Sequence, residues 1–159
     1  MKGGGSVNTT VDEIIELYLS KIECYEYLRY TEEELKEEVR PMLNSAISKL
    51  FTLNLVIDWD MEEFDRQLTP IEQNIVALGL VEEFITQRVN SEKVLKNHLA
   101  MKDYQAFSNA NMLKQLNDTL TSIRSEVSYW ETKLEYSKRA KKILGGDKKW
   151  ATSTLTKKD

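Results

Sequence analysis

Leu113, Leu116, Leu120, Ile123, Val127, Trp130 and Leu134 follow one another at spacings of 3, 4, 3, 4, 3 and 4. This uninterrupted heptad seam admits one long helix that lays a single apolar stripe against another helix. Ser108 is a candidate cap, and Gly145-Gly146 mark the expected stop after Leu144. About 35 residues at 1.5 Å each would then span roughly 50 Å. A helix of that length either braces the whole body or protrudes to meet another subunit.

The rest of the chain also reads as helix. A threonine precedes a glutamate by three residues at Thr10/Glu13, Thr31/Glu34 and Thr69/Glu72, each just before an apolar pattern. That spacing is the capping box, in which hydroxyl and carboxylate satisfy amides that a helix start leaves open. In "LTPIEQNIV", Pro70 falls at the first helical position, where a missing N–H costs nothing. The first helix carries Ile14, Leu17, Tyr18, Ile22 and Tyr25 on one face, and Cys24 falls within it as a small packed side chain. The second carries Leu35, Val39, Met42 or Leu43, Ala46, Ile47 and Leu50, with a break or kink expected at Arg40-Pro41. The third opens at Thr69 and is apolar on several sides (Ile71, Ile75, Val76, Leu78, Leu80, Phe84, Ile85), which predicts a central, largely buried helix to about Val89. Gly79 in its middle costs up to ~1 kcal/mol of helix propensity and implies close approach of a neighbouring helix. Asn90 ends this helix in the expectation, and Ser91 caps a shorter one. Between Phe51 and Leu68 the helical period disappears, predicting a connecting loop with room for a short strand.

Of the 159 residues, 41% are hydrophobic and 30% charged. The expectation is one domain. It is an all-α small helical bundle with one long C-terminal helix and a flexible basic C-terminal tail. Its expected boundaries are a flexible leader at 1–9, the bundle at 10–144 and the tail at 145–159. "MKGGGSVNTT" lacks the apolar run of a signal peptide and reads as a loose leader or cloning scar. The single cysteine, Cys24, forms no internal disulfide and fits a reducing compartment. Charge is unevenly placed: residues 138–159 carry +6 and residues 1–137 carry −10 within a total of −4. Such an asymmetry points the tail toward an acidic partner surface, or else marks solvating disorder.

Chemistry-bearing motifs are missing. There is no phosphate-binding glycine loop, GxSxG elbow, HExxH or cysteine pair. His98, the only histidine, has no companion at metal-binding spacing. Asp58, Asp60, Glu62 and Glu63 lack the spacing of a calcium loop, and the glutamates at 32, 33, 34, 37 and 38 read as a solvated helix face. We therefore expect no enzyme, no cofactor and no metal. An acidic body excludes a basic DNA-reading helix and leaves only "SKRAKKILGGDKKW" for phosphate contacts.

The stretches "LTPIEQNIVALGLVEEFI", "QRVNS" and "KDYQAFSNANML", followed by the long Leu- and aromatic-rich helix, together cover about residues 64–136. In their order and spacing they resemble a helical head–tail connector, or adaptor, of tailed bacteriophages. The resemblance implies a virion protein of the neck, made in the bacterial host cytoplasm. It implies a homo-oligomeric ring between the portal protein and the next tail component, enclosing DNA without sequence-specific binding and without a membrane. A ring needs two different surfaces that close head to tail. The seam residues Leu113, Leu116, Leu120, Ile123, Val127, Trp130 and Leu134 are the candidate oligomer interface. Lys138, Arg139, Lys141, Lys142, Lys148, Lys149 and Trp150 are the candidates for docking on portal or tail. The alternative is a cytosolic helical scaffold or regulator that dimerises through the 113–134 seam. A third reading is a nucleic-acid accessory protein that uses only its tail.

Overall fold

All three capping boxes form. The Thr10, Thr31 and Thr69 hydroxyls each accept from the amide of the glutamate three residues on, at 3.3 Å. Glu13, Glu34 and Glu72 accept in return from the three threonine amides at 2.8–2.9 Å. They open α1 (Val11–Leu19), α2 (Glu32–Lys49) and α3 (Pro70–His98). A fourth helix, α4, spans Asn109–Ser153. The structure, a computed structural model, describes residues 7–98 and 109–153. The Ser108 cap and the leader up to Ser6 lie outside the described residues. The all-α expectation holds, with one small exception between α2 and α3.

That exception is a hairpin of β1 (Ile57–Asp58) and β2 (Glu63–Phe64), antiparallel, with Ile57 opposite Phe64 and Asp58 opposite Glu63. The Asp58 carboxylate accepts from the amides of Asp60 and Met61 and so folds the turn. Glu62 follows at φ 53°, a left-handed conformation that lets the chain re-enter β2. Thr9 is buried against this hairpin although the sequence places it in the leader. Its carbonyl accepts from Phe64 and its hydroxyl accepts from the Leu68 amide at 2.8 Å.

α3 is central and packs against α1, α2 and α4. Every residue from Ile75 to Val81 is buried, so the helix is covered on all sides there. α2 approaches closely at Gly79: a Cβ built on it would lie 3.2 Å from the side chain of Leu50, the residue that caps α2, and 3.3 Å from the Ala46 Cβ. Gly79→Val should therefore destabilise the fold by about 1–3 kcal/mol, because its extra methyls enter occupied space. A urea midpoint equal to that of the parent would remove this account.

Four boundaries differ from expectation. α1 stops at Leu19, because the Ser20 hydroxyl donates to the Leu17 carbonyl at 2.6 Å and Lys21 donates to Tyr18. Ile22 and Cys24 thus lie in a connector, and Tyr25 begins a 3₁₀ turn (Tyr25–Arg29). α2 runs through Pro41 without a break, since Pro41 is exposed and water can satisfy the carbonyl its ring leaves open. α3 continues through Asn90-Ser91 to His98; both residues are exposed, so nothing in the packing forces an end there. α4 likewise passes through Gly145-Gly146. No described glycine takes the positive φ that a glycine stop requires, and a Cβ at Gly145 would meet nothing within 4 Å. α4 has 45 residues. At the usual helical rise that makes it about 68 Å long.

Candidate functional site

The heptad seam faces the chain's own α3. Leu120, Val127 and Leu134, seven residues apart, are buried, while Leu113, Leu116, Ile123 and Trp130 are half-buried. Ion pairs fix the alignment: Arg124 Nε lies 2.8 Å from Glu82, and Lys138 Nζ lies 3.9 Å from Glu72. The higher-numbered partner on α4 meets the lower-numbered one on α3, so the two helices run antiparallel. A seam engaged in this way is an intramolecular joint first, and a second chain would have to share it with α3.

Glu72 joins the Thr69 capping box to the start of the basic segment. Only 6% of its side chain is exposed. Arg66 donates to it at 3.3 Å and also to the Leu53 carbonyl at 2.9 Å. Burial pushes its carboxyl up, but the Thr69 amide and the Arg66 guanidinium outweigh that and hold it below the ordinary range. A depressed carboxyl stabilises the fold above its unfolded pKa of about 4.3, and the contribution is lost as pH falls through the lower folded value. Glu72→Gln should cost about 1–2 kcal/mol at pH 7 and little at low pH. Urea midpoints of the two chains should differ at neutral pH and converge at acidic pH; a constant offset would show that ionisation of Glu72 plays no part.

Past Lys138, α4 leaves its partner at the N-terminal end of α3. Every residue from Glu135 to Gly145 is exposed, including Tyr136 (67%), Ile143 (68%) and Leu144 (66%). Of the candidate docking residues, Lys138, Arg139, Lys141 and Lys142 therefore ride on a projecting helical arm. Lys148, Lys149 and Trp150 follow on the same helix. The apolar residues of the arm escape a search for heptads because the seam pattern stops at Leu134. Tyr136, Ala140, Ile143 and Leu144 start a second stripe, offset around the helix.

Beside the middle of α3, Tyr18, Tyr27 and Phe84 form a cluster, with ring centroids 6.0–6.4 Å apart. The Arg88 guanidinium lies over Phe84 at 4.5 Å and donates to Cys24 Sγ at 3.5 Å, which makes Cys24 a packed side chain. Beside this cluster lies an open groove of about 370 Å³ lined by Leu19, Ile22, Cys24, Tyr27, Leu28 and Leu35. Sequence patterning missed it, because its residues come from a helix end, a connector and a second helix.

Several acidic residues have structural partners. Lys36 binds Asp12 at 3.0 Å, Glu32 at 3.7 Å and Glu62 at 2.7 Å, tying α1 and α2 to the hairpin. Glu62 above all, and then Asp12, hold the Lys36 ammonium well above its ordinary range. Among the described residues no group of three or more His, Cys, Asp or Glu is placed to hold a metal ion. His98 ends α3. No helix of the described residues is long and apolar enough to cross a membrane. No protein-family model, curated protein or solved structure matches the chain.

Proposed function

We propose that the chain is a structural adaptor of a tailed-phage virion, one subunit of a ring between the portal and the tail machinery. The observation that supports this best is the arm. Residues 139–145 of α4 stand in water beyond its ion pair with the start of α3, and the helix runs on to Ser153. The arm carries Lys138, Arg139, Lys141 and Lys142 at its base, while the rest of the chain is acidic. Large apolar and cationic side chains that their own subunit leaves in water are suited to contacts with a neighbouring one.

The portal and the next neck component are the partners this reading supplies for the subunit as a whole. Lys148, Lys149 and Trp150 belong to the same docking element. The body's net −10 repels phosphate, so DNA enclosed by such a ring would pass without the affinity that Lys and Arg contacts create. No catalysis is part of the proposal. The alternative scaffold would dimerise through the 113–134 seam, and it requires α3 to share that seam.

A docking experiment tests the reading. Purified chain is mixed with isolated portal rings or tail-less DNA-filled heads, sedimented and imaged at the portal vertex. A closed ring of added density is the expected result. Bare vertices on well-formed heads would end the adaptor reading.

A further inference from the structure

The arm and the groove match one another in chemistry, yet the arm leaves at the N-terminal end of α3 and the groove lies beside its middle. The arm starts where Lys138 meets Glu72. The groove is marked on α3 by Phe84, whose ring centroid is 6.0 Å from that of Tyr27. Twelve residues of helix separate Glu72 from Phe84, about 18 Å, and the arm points away from that interval. No arm can reach the groove of its own chain without breaking α4. A second copy's arm can.

Charge and shape favour that pairing. Residues 23–38, the stretch that supplies most of the groove's lining, carry seven glutamates against Arg29 and Lys36, a net −5. Residues 136–145 of the arm carry four cations and no acid. Lys36 is already held by three carboxylates of its own chain. Glu23 lines the groove, Glu38 stands one helical turn beyond Leu35, and both are exposed. The groove also has an unburied apolar wall: Leu28 is 81% exposed, beside half-buried Leu19 and Leu35. The arm offers Tyr136, Ala140, Ile143 and Leu144, three of them large side chains standing two-thirds in water. An amphipathic helix laid apolar side down in an apolar groove, its cations over an acidic rim, is a recurrent recognition mode.

We infer that the arm of one copy seats in the Leu19–Leu35 groove of the next, with Lys138, Arg139, Lys141 and Lys142 over Glu23 and Glu38. The contact joins unlike surfaces, so it repeats head to tail and yields a closed ring or an open chain according to its angle. It rests on the ring reading above and gives that ring its joint. It also takes the arm's base away from the portal, leaving portal contact to other surfaces.

The test uses the full chain alone, without heads or portals. Sedimentation velocity over a concentration series should show masses above the monomer, and raising the salt should weaken them. Leu28→Lys spoils the groove, and Ile143→Lys with Leu144→Lys spoils the arm. All three positions are exposed, so circular dichroism and the urea midpoint should stay at parental values. Each variant should associate about tenfold more weakly or worse, the equivalent of ~1.4 kcal/mol. Mixing the two variants is the decisive arm of the test. The intact arm of the groove variant meets the intact groove of the arm variant, so the mixture should form a one-to-one pair that grows no further. A chain that stays monomeric up to its solubility limit would overturn the joint, as would variants that associate like the parent. So would a mixture that forms no pair. Ring density on heads in the same hands would show that the adaptor reading survives without this joint.

Discussion

Val127→Asp should lower the unfolding free energy by about 4 kcal/mol or more, read as the shift in urea midpoint at pH 7. Val127 is 7% exposed and belongs to the main core through its contact with the α3 side of the body. Two costs combine. The lost valine burial is worth about 1.5–3 kcal/mol, and a carboxylate confined there must either shed water or drag α4 outward. The nearest cation along the helix, Arg124, is committed to Glu82 at 2.8 Å. Against a total stability of about 5–15 kcal/mol for a domain of this kind, such a loss is large. Ser128→Asp is the control. It is the next residue and exposed, and it should stay within about 0.5 kcal/mol of the parent. Equal midpoints for the two variants would mean that α4 does not present this face to α3.

What the sequence made legible here was periodicity and caps. Three Thr-x-x-Glu boxes named the helix starts because their chemistry is local, needing only residues within one turn. The heptad seam named the buried face of α4, and Gly79 named a close approach of two helices. What it left hidden was set by packing or by its absence. Stop signals at Asn90 and Gly145-Gly146 go unused, since a polar or glycine residue on an exposed helix surface permits an end without enforcing one. α1 stops early through Ser20, a residue with no stop signature beyond its hydroxyl. Thr9 looks like leader until the hairpin folds over it. The groove could not be read at all, because its walls meet only after α1, the 3₁₀ turn and α2 have turned around Phe84. The arm was legible as charge and as helix up to Leu144 but not beyond it, and the seam's partner was ambiguous between α3 and a second chain. Periodicity gives the direction of a face without naming what covers it.

That dependence on Phe84 gives the second large effect. Phe84→Ala should cost about 3–5 kcal/mol, because it removes a buried ring and leaves a cavity among aromatic neighbours. The side chain is 9% exposed. Its ring stands edge-on to Tyr18 at 6.2 Å and tilted to Tyr27 at 6.0 Å, with the Arg88 guanidinium on its face. It therefore joins three pieces of chain, α1, the 3₁₀ turn and α3, that nothing covalent holds together locally. Tyr18 supplies a second readout. Burial, then the 3.3 Å hydrogen bond with Tyr27, raises its hydroxyl far above the ordinary tyrosine value, which is about 10. A raised folded pKa gives stability that is fully present below that ordinary value and lost as pH climbs above it, since only the unfolded chain releases the proton. In the parent, the tyrosinate absorbance of Tyr18 should appear together with alkaline unfolding and not before it. Phe84→Ala opens the ring to water, so its tyrosinate signal should move toward that of exposed tyrosines while the helices remain. The groove wall at Tyr27 loosens with it, so association through the arm should weaken in the same variant. A Phe84→Ala chain with parental stability and a parental alkaline titration would mean that this cluster does not organise the groove side of the body. A chain that keeps its association but loses stability would separate the two roles and leave the ring joint to the leucines alone.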